Sequence, residues 1–331
     1  MQTITFENSP CIIETASCVG KKEGDGPLKP YYDKIFTDVH LGEDSWEKAE
    51  SALQKNTLNK LFEKSGVKPS DIDLIYGGDL LNQCIGSNYG LLKFNIPFLG
   101  LYGACSTFVE GSVLAAMAVD GGFAEKAIAI TSSHFCSSER QFRFPLEYGG
   151  QRTPTSQWTV TGSGAALIGK GGNLCITHAT VGKIVDYGIS DINNMGAAMA
   201  PAAIDTICRH FNDRNLSSDY FDIVATGDLG YVGRQITEEQ LKKHGIDVSK
   251  TKYIDCGEQI FDRSKQDVHA GGSGCGCCAS VFCGWLHTLL KSKKARRILL
   301  AATGALMSPT TCFQGESIPG ISHCIAIERI D

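Results

Sequence analysis

Asp73-Leu74-Ile75-Tyr76-Gly77-Gly78-Asp79-Leu80 returns later in the chain as Asp222-Ile223-Val224-Ala225-Thr226-Gly227-Asp228-Leu229, matching in residue type position for position. Each copy is a short apolar run closed by a glycine-aspartate turn, the pattern of a buried strand ending in a tight loop. A helix is expected before each. Before the first, Asp44 and Glu47 have capping-box spacing. Trp46, Ala49, Leu53, Leu58, Leu61 and Phe62 then recur at helical intervals until Gly66 and Pro69 stop the run. Before the second, Pro201 is placed to open a helix, and Ile204, Ile207, Cys208 and Phe211 give it one apolar face. A second correspondence follows in the same order. Gly103-Ala104-Cys105-Ser106-Thr107 opens an apolar helical stretch through Val109, Val113, Leu114 and Met117, leading to the strand Ala127–Thr131. Gly272-Ser273-Gly274-Cys275 opens another through Cys278, Val281, Phe282, Trp285 and Leu289, leading to the strand Ile298–Ala301. Without gaps, Cys105 falls opposite Cys275. Two matches in one order predict an internal duplication. The expected fold is α/β, with residues 1–170 as one half and 171–331 as the other. Gly169-Lys170-Gly171-Gly172-Asn173 forms the turn between them.

At 331 residues, 42% hydrophobic and 20% charged, the chain has the composition of a globular protein large enough for two fused halves around one core. A net charge of −5 leaves no basic field for nucleic acid. No apolar run approaches the ~18 residues that would span a bilayer. Met1–Phe6 lacks a basic region followed by an apolar stretch, so no signal peptide is expected. The 14 cysteines are therefore expected to be reduced and buried. Cys275, Cys277, Cys278 and Cys283 lack the paired C-x-x-C spacing of a zinc site, so no metal site is expected.

Cys105 is the first candidate for chemistry. A thiol at a helix N-terminus is expected to have a lowered pKa, as a nucleophile requires; the plain alternative is a small residue in a tight turn. Such a nucleophile needs a base. His134, just after a strand, and His269, just before the Gly271–Gly274 turn, stand where loops line clefts. The segment from Glu139 to Pro154 carries Arg140, Arg143 and Arg152, with Trp158 shortly after. Arginine forks match carboxylates and aromatic faces stack on flat rings, so a planar anion competes with a solvated loop as the explanation.

Gly103–Thr107, the duplication and Thr161-Gly162-Ser163-Gly164-Ala165 together resemble the thiolase and ketoacyl-synthase superfamily. The resemblance narrows at Thr131–His134, Glu139–Arg143, Glu147–Arg152 and Gln157–Gly162, where the chain is similar to the stage V sporulation protein AD family over nearly its whole length. The resemblance implies a thiolase-like fold, two pseudo-symmetric halves in a five-layered αβαβα sandwich. It implies a binder of dipicolinic acid, alone or as its calcium chelate, that moves dipicolinate into the forespore and out on germination. It further implies a homodimer with no cofactor of its own, peripheral at the spore inner membrane beside other membrane proteins of its SpoVA operon. Condensing enzymes pair their cysteine with a histidine at the end of a second-half strand. Here that stretch is Asp222–Asp228, with glycine or aspartate in its place, and only His269 could substitute for the next polar partner. A pseudo-enzyme is thus expected, with Cys105, His134, Arg140, Arg143, Arg152, Trp158, Asp228, His269 and Gly272 as candidate ligand-binding residues. One ligand carboxylate is expected at a helix terminus and the other on an arginine of the 140–152 segment. The alternatives are an acyltransferase with Cys105 as nucleophile and a scaffold that binds no ligand.

Overall fold

The computed structural model describes residues 2–142 and 152–330. Ten strands form the main hydrogen-bonded path: β1 (Cys11–Val19), β2 (Leu74–Gly78), β3 (Phe98–Gly100), β4 (Lys126–Ser133), β6 (Gly162–Gly169), β7 (Leu174–Thr180), β8 (Ile223–Thr226), β9 (Lys252–Asp255), β11 (Arg297–Ala305) and β12 (Gly320–Arg329). A separate two-residue ladder pairs β5 (Trp158–Thr159) with β10 (Gly272–Ser273). The main path runs β9-β8-β11-β12-β7-β1-β6-β4-β2-β3. It divides into two five-stranded sheets of one pattern. In β3-β2-β4 and β9-β8-β11 the strands are parallel, and each trio continues into two antiparallel strands, β6-β1 and β12-β7.

Strand alternation builds the layers, because successive side chains face opposite sides of a sheet. On β4, Ile128 and Ile130 pack with Leu58 and Leu61 of the outer helix α1 (Trp46–Ser65), while Ala127 and Ala129 face the central core. On β11, Leu299 and Ala301 meet Ile207 and Phe211 of the outer helix α4 (Met195–Asp213), while Ile298, Leu300 and Ala302 face the centre. Between the sheets lie α2 (Thr107–Asp120) and α6 (Cys275–Val281), which contribute Phe108, Val109, Val113, Cys278 and Val281 to that same core. The sandwich is therefore thiolase-like, helix on sheet on helix on sheet on helix.

Local boundaries differ from the sequence reading for identifiable reasons. The α1 cap is Ser45, whose Oγ accepts Lys48 N–H, rather than Asp44; Gly66 ends the helix at φ 69° as expected. Pro201 does not open α4. Asn194 caps that helix through Ala197 N–H, and Pro201 sits inside it. The run after α6 passes through a π-helical turn, Phe282–Leu286, that periodicity alone does not reveal. The β4 and β11 strands run longer than their apolar cores suggested.

The expectation of uniformly reduced thiols is corrected at one place. Cys11 and Cys175 are joined in a disulfide. They are the single residue pair by which β1 and β7 meet, and so lie on the seam between the two sheets. The other twelve cysteines are free. Among the described residues, no helix is long and apolar enough to cross a membrane. Alkylation in denaturant without reductant should block twelve thiols, and prior reduction should raise the count to fourteen by intact mass. Fourteen adducts without reductant would remove the disulfide.

Candidate functional site

The central layer directs two chain turns at one place. Cys105 lies in a 3-10 turn, Ala104–Ser106, that leads into α2, and Ala104 just before it takes a positive φ of 50°. From the other half, Gly274 precedes α6 at φ 108°, a conformation that suits glycine. Gly304 of β11 lies under the Cys105 turn, where an added Cβ would fall 2.2 Å from Gly103 O, so the strand and the turn touch through bare backbone.

Cys105, Ser273 and Gly274 line a cavity of about 490 Å³, within the ~300–1,000 Å³ of small-molecule sites. Leu80, Tyr102, Met195, Met199, Met307 and Pro309 make most of its wall apolar. Polar groups enter from Asn82, Gln141, Gln157, Ser308 and Thr310, and a carboxylate from Glu139. Among the described residues, no lysine, arginine or histidine lines it.

Behind the cysteine stands Asp228. It is fully buried at the end of β8, and its Oδ2 accepts Ser273 Oγ–H at 2.9 Å and Gly274 N–H at 2.8 Å. Its Oδ1 is buried without a partner. Burial pushes this carboxyl up to about 6. Cys105 Sγ lies 3.8 Å from Ser273 Oγ. Burial first, and then the Asp228 carboxylate, drive the Cys105 thiol well above its ordinary value. The lowered thiol pKa expected at a helix start is thus corrected. Desolvation and a neighbouring negative charge both oppose the thiolate, and they outweigh the local amides. Even from the ordinary thiol value of 9.0, passing the proton to a group at about 6 costs roughly 4 kcal/mol. Asp228 is a poor base for this cysteine.

The remaining sequence candidates fall in other places. His134 is buried away from the cavity, with Nε2 on Val39 O at 2.8 Å, and burial holds its pKa down. Arg140 pairs with Glu47 and covers Trp46 at 5.1 Å, on the α1 side. Arg152 binds Asp267 and lies 4.7 Å over Trp158, while His269 Nε2 lies 3.2 Å from the Asp267 carboxylate. Gly272 borders the site through its carbonyl, which accepts Gln157 Nε2 at 2.7 Å. Arg143 lies outside the described residues. The ladder of β5 and β10 explains the separation. Gln157 and Ser273 line the cavity, whereas Phe135, Lys22 and Arg152 gather around Trp158 outside its lining. Gln157 and Ser273 were missed although each adjoins a candidate, Trp158 and Gly272. Alternation along an extended strand was the signal that could have found them. Tyr102 and the methionines carried no such signal.

The family model of stage V sporulation protein AD matches residues 1–328. The stage V sporulation protein AD of Bacillus subtilis (strain 168) is 46% identical over 329 residues, covering 99% of this chain and 97% of that protein. Among solved structures, the 3-oxoacyl-[acyl-carrier-protein] synthase III of Aquifex aeolicus is similar with a TM-score of 0.58 at 12% identity, covering 97% of this chain and all of that one. Cerulenin-bound OleA of Xanthomonas campestris is similar with a TM-score of 0.62 at 13% identity, covering 98% and 100%. At such identities these structures establish the fold.

Asp228 also makes a pH prediction. Its folded pKa, about 6, exceeds the unfolded 3.8, so its contribution to stability is complete below 3.8 and lost as pH rises through 6. The buried His210, His287 and His323, lowered to about 4, act in the opposite sense below pH 6.5, so the unmodified protein's curve does not isolate the effect. Asp228→Asn does. Denaturant unfolding should find the variant gaining on the parent protein by about 1.4 kcal/mol between pH 5 and pH 8. A pH-independent difference would refute a raised Asp228.

Proposed function

The chain belongs to the stage V sporulation protein AD family, and from that premise we propose that it binds dipicolinic acid in the Cys105 cavity and catalyses no condensation. One observation carries the second part: the group beside the nucleophile-position thiol is a buried carboxylate, Asp228, where acyl transfer would need a base able to take its proton. Several features support the first part. The cavity is the size of a small-molecule site, and its wall combines an apolar floor with a few fixed polar groups. Tyr102 stands half-exposed at the cavity, where its ring can cover a flat heterocycle. Met195, Met199 and Met307 supply an adaptable surface beneath. The charged side chain in the described lining, Glu139, is acidic, which favours the neutral calcium chelate over the bare dianion. Calcium would then arrive with its ligand. Oxygen-bearing Asn82, Glu139, Gln141 and Ser308 are of the right donor chemistry to face it.

In this reading the protein serves dipicolinate movement into the forespore and release on germination, docked peripherally on membrane proteins of its SpoVA operon. A homodimer would form along the free edge strand β3, where Leu99 is half-exposed.

The condensing-enzyme fold is the specific observation that keeps acyl transfer as a second reading. Calorimetric titration with dipicolinate, with and without calcium and against benzoate, should give saturable, ring-selective heat, larger with calcium. Tyr102→Ala should weaken it about tenfold, the loss of one stacking contact of ~1–1.5 kcal/mol. Incubation with acyl-coenzyme A should leave the intact mass unchanged. A stable adduct on Cys105 would favour the acyltransferase, and neither heat nor adduct would favour the scaffold.

A further inference from the structure

Across the β5–β10 ladder from the cavity, three nitrogen-bearing side chains converge on one residue. Lys22 Nζ and Arg152 Nη2 each donate to the backbone carbonyl of Asp267, both at 2.9 Å. Arg152 Nη2 also lies 3.0 Å from Asp267 Oδ1, and His269 Nε2 lies 3.2 Å from that same oxygen. Trp158 forms a rigid floor. Phe135 stacks on its ring at 3.8 Å, and Lys22 Nζ stands 3.3 Å from its centroid.

Two features distinguish this group from a closed structural ion pair. First, the two partners are unequally placed: the Arg152 side chain is 16% exposed, whereas that of Asp267 is 77% exposed. The cations are anchored through the Asp267 main chain, so its carboxylate can swing into solvent without dismantling them. Second, Arg152 Nη1 is buried with no partner among the described residues, although a guanidinium fork is built to bind two oxygens at once. Among the described residues, Asp267 and, at longer range, Glu23 answer Lys22, Arg152 and His269, an excess of nitrogen-bearing groups over carboxylates. Lys22 registers the excess: burial and the neighbouring Arg152 hold its pKa below the usual value.

We propose that Lys22, Arg152 and His269 form a binding recess for a small oxyanion, a carboxylate or a phosphate, and that Asp267 is the internal carboxylate this anion displaces. An incoming oxyanion would take over the Asp267 Oδ1 contacts with Arg152 and His269, which need no new cation. Direct ring stacking contributes nothing, since Phe135 and Lys22 already cover Trp158. The recess is therefore selective for charge and geometry rather than for an aromatic ring. The inference does not rest on the dipicolinate reading, because Lys22, Arg152 and His269 lie outside the cavity lining.

The test is calorimetric titration of the full chain with inorganic phosphate and, separately, with succinate, at low ionic strength. Asp267→Asn removes the internal competitor and should tighten binding of at least one anion about tenfold, the worth of one displaced charged contact. Adding Arg152→Gln to it should abolish that gain, while the circular dichroism spectrum stays unchanged. A preference for phosphate would identify a phosphoryl ligand, and a preference for succinate a carboxylate ligand. If Asp267→Asn binds neither anion more tightly than the parent protein, Asp267 is only an ion-pair partner and the proposal fails. Dipicolinate titration of Arg152→Gln separates the two sites. Unchanged affinity supports an independent recess, and lost affinity would make Arg152 part of the dipicolinate site and overturn the assignment.

Discussion

The architecture depends on burying two helices, α2 and α6, between two sheets. A helix enclosed on all sides can present only apolar and small side chains, and here Phe108, Val109, Val113, Cys278 and Val281 fill the space. Backbone must meet backbone where the layers are closest, which is why Gly304 lies directly under the Cys105 turn. The beginnings of α2 and α6 meet, still buried, at one edge of that core, and the cavity lies against the turns that open them.

At that point the electrostatics set the character of the site. Cys105 is held beside a carboxylate, with burial and charge both favouring the neutral thiol. Asp228 serves geometry: it accepts Ser273 Oγ–H and Gly274 N–H, and so fixes the turn that opens α6. Its duplicate, Asp79, also has a structural task, but a different one: it accepts Leu81 N–H and Ser87 N–H and so holds its own loop and the helix that follows it. The repeated aspartate is thus explained by architecture in both halves. The acid beside Cys105 holds the turn that opens α6 through its bonds to Ser273 and Gly274.

Much of the fold was legible because duplication and periodicity are local signals. The Asp73–Leu80 and Asp222–Leu229 match, and the two glycine-led apolar runs, map onto β2, β8, α2 and α6. The site was legible only in part. Cys105 reaches the cavity because a turn after a strand places it there, and Asp228 stands behind it because the duplication put an aspartate at that strand end. His134, Arg140 and Arg152 were chosen for chemistry and nearness in sequence. His134 turns to Val39 O, Arg140 to Glu47, and Arg152 to Asp267.

The sequence by itself determined the two-half α/β plan, the family, and the absence of a histidine at the end of β8, because each is a matter of which residue types recur at which spacing. Only the tertiary structure decided which side of the β5–β10 ladder each polar group occupies, that Met195 and Met307 meet at the cavity, and that Cys11 meets Cys175 on the seam. The physical reason is range. Helical and strand periods are fixed within a few residues, whereas the direction a side chain takes at a junction depends on packing against chain more than a hundred residues away.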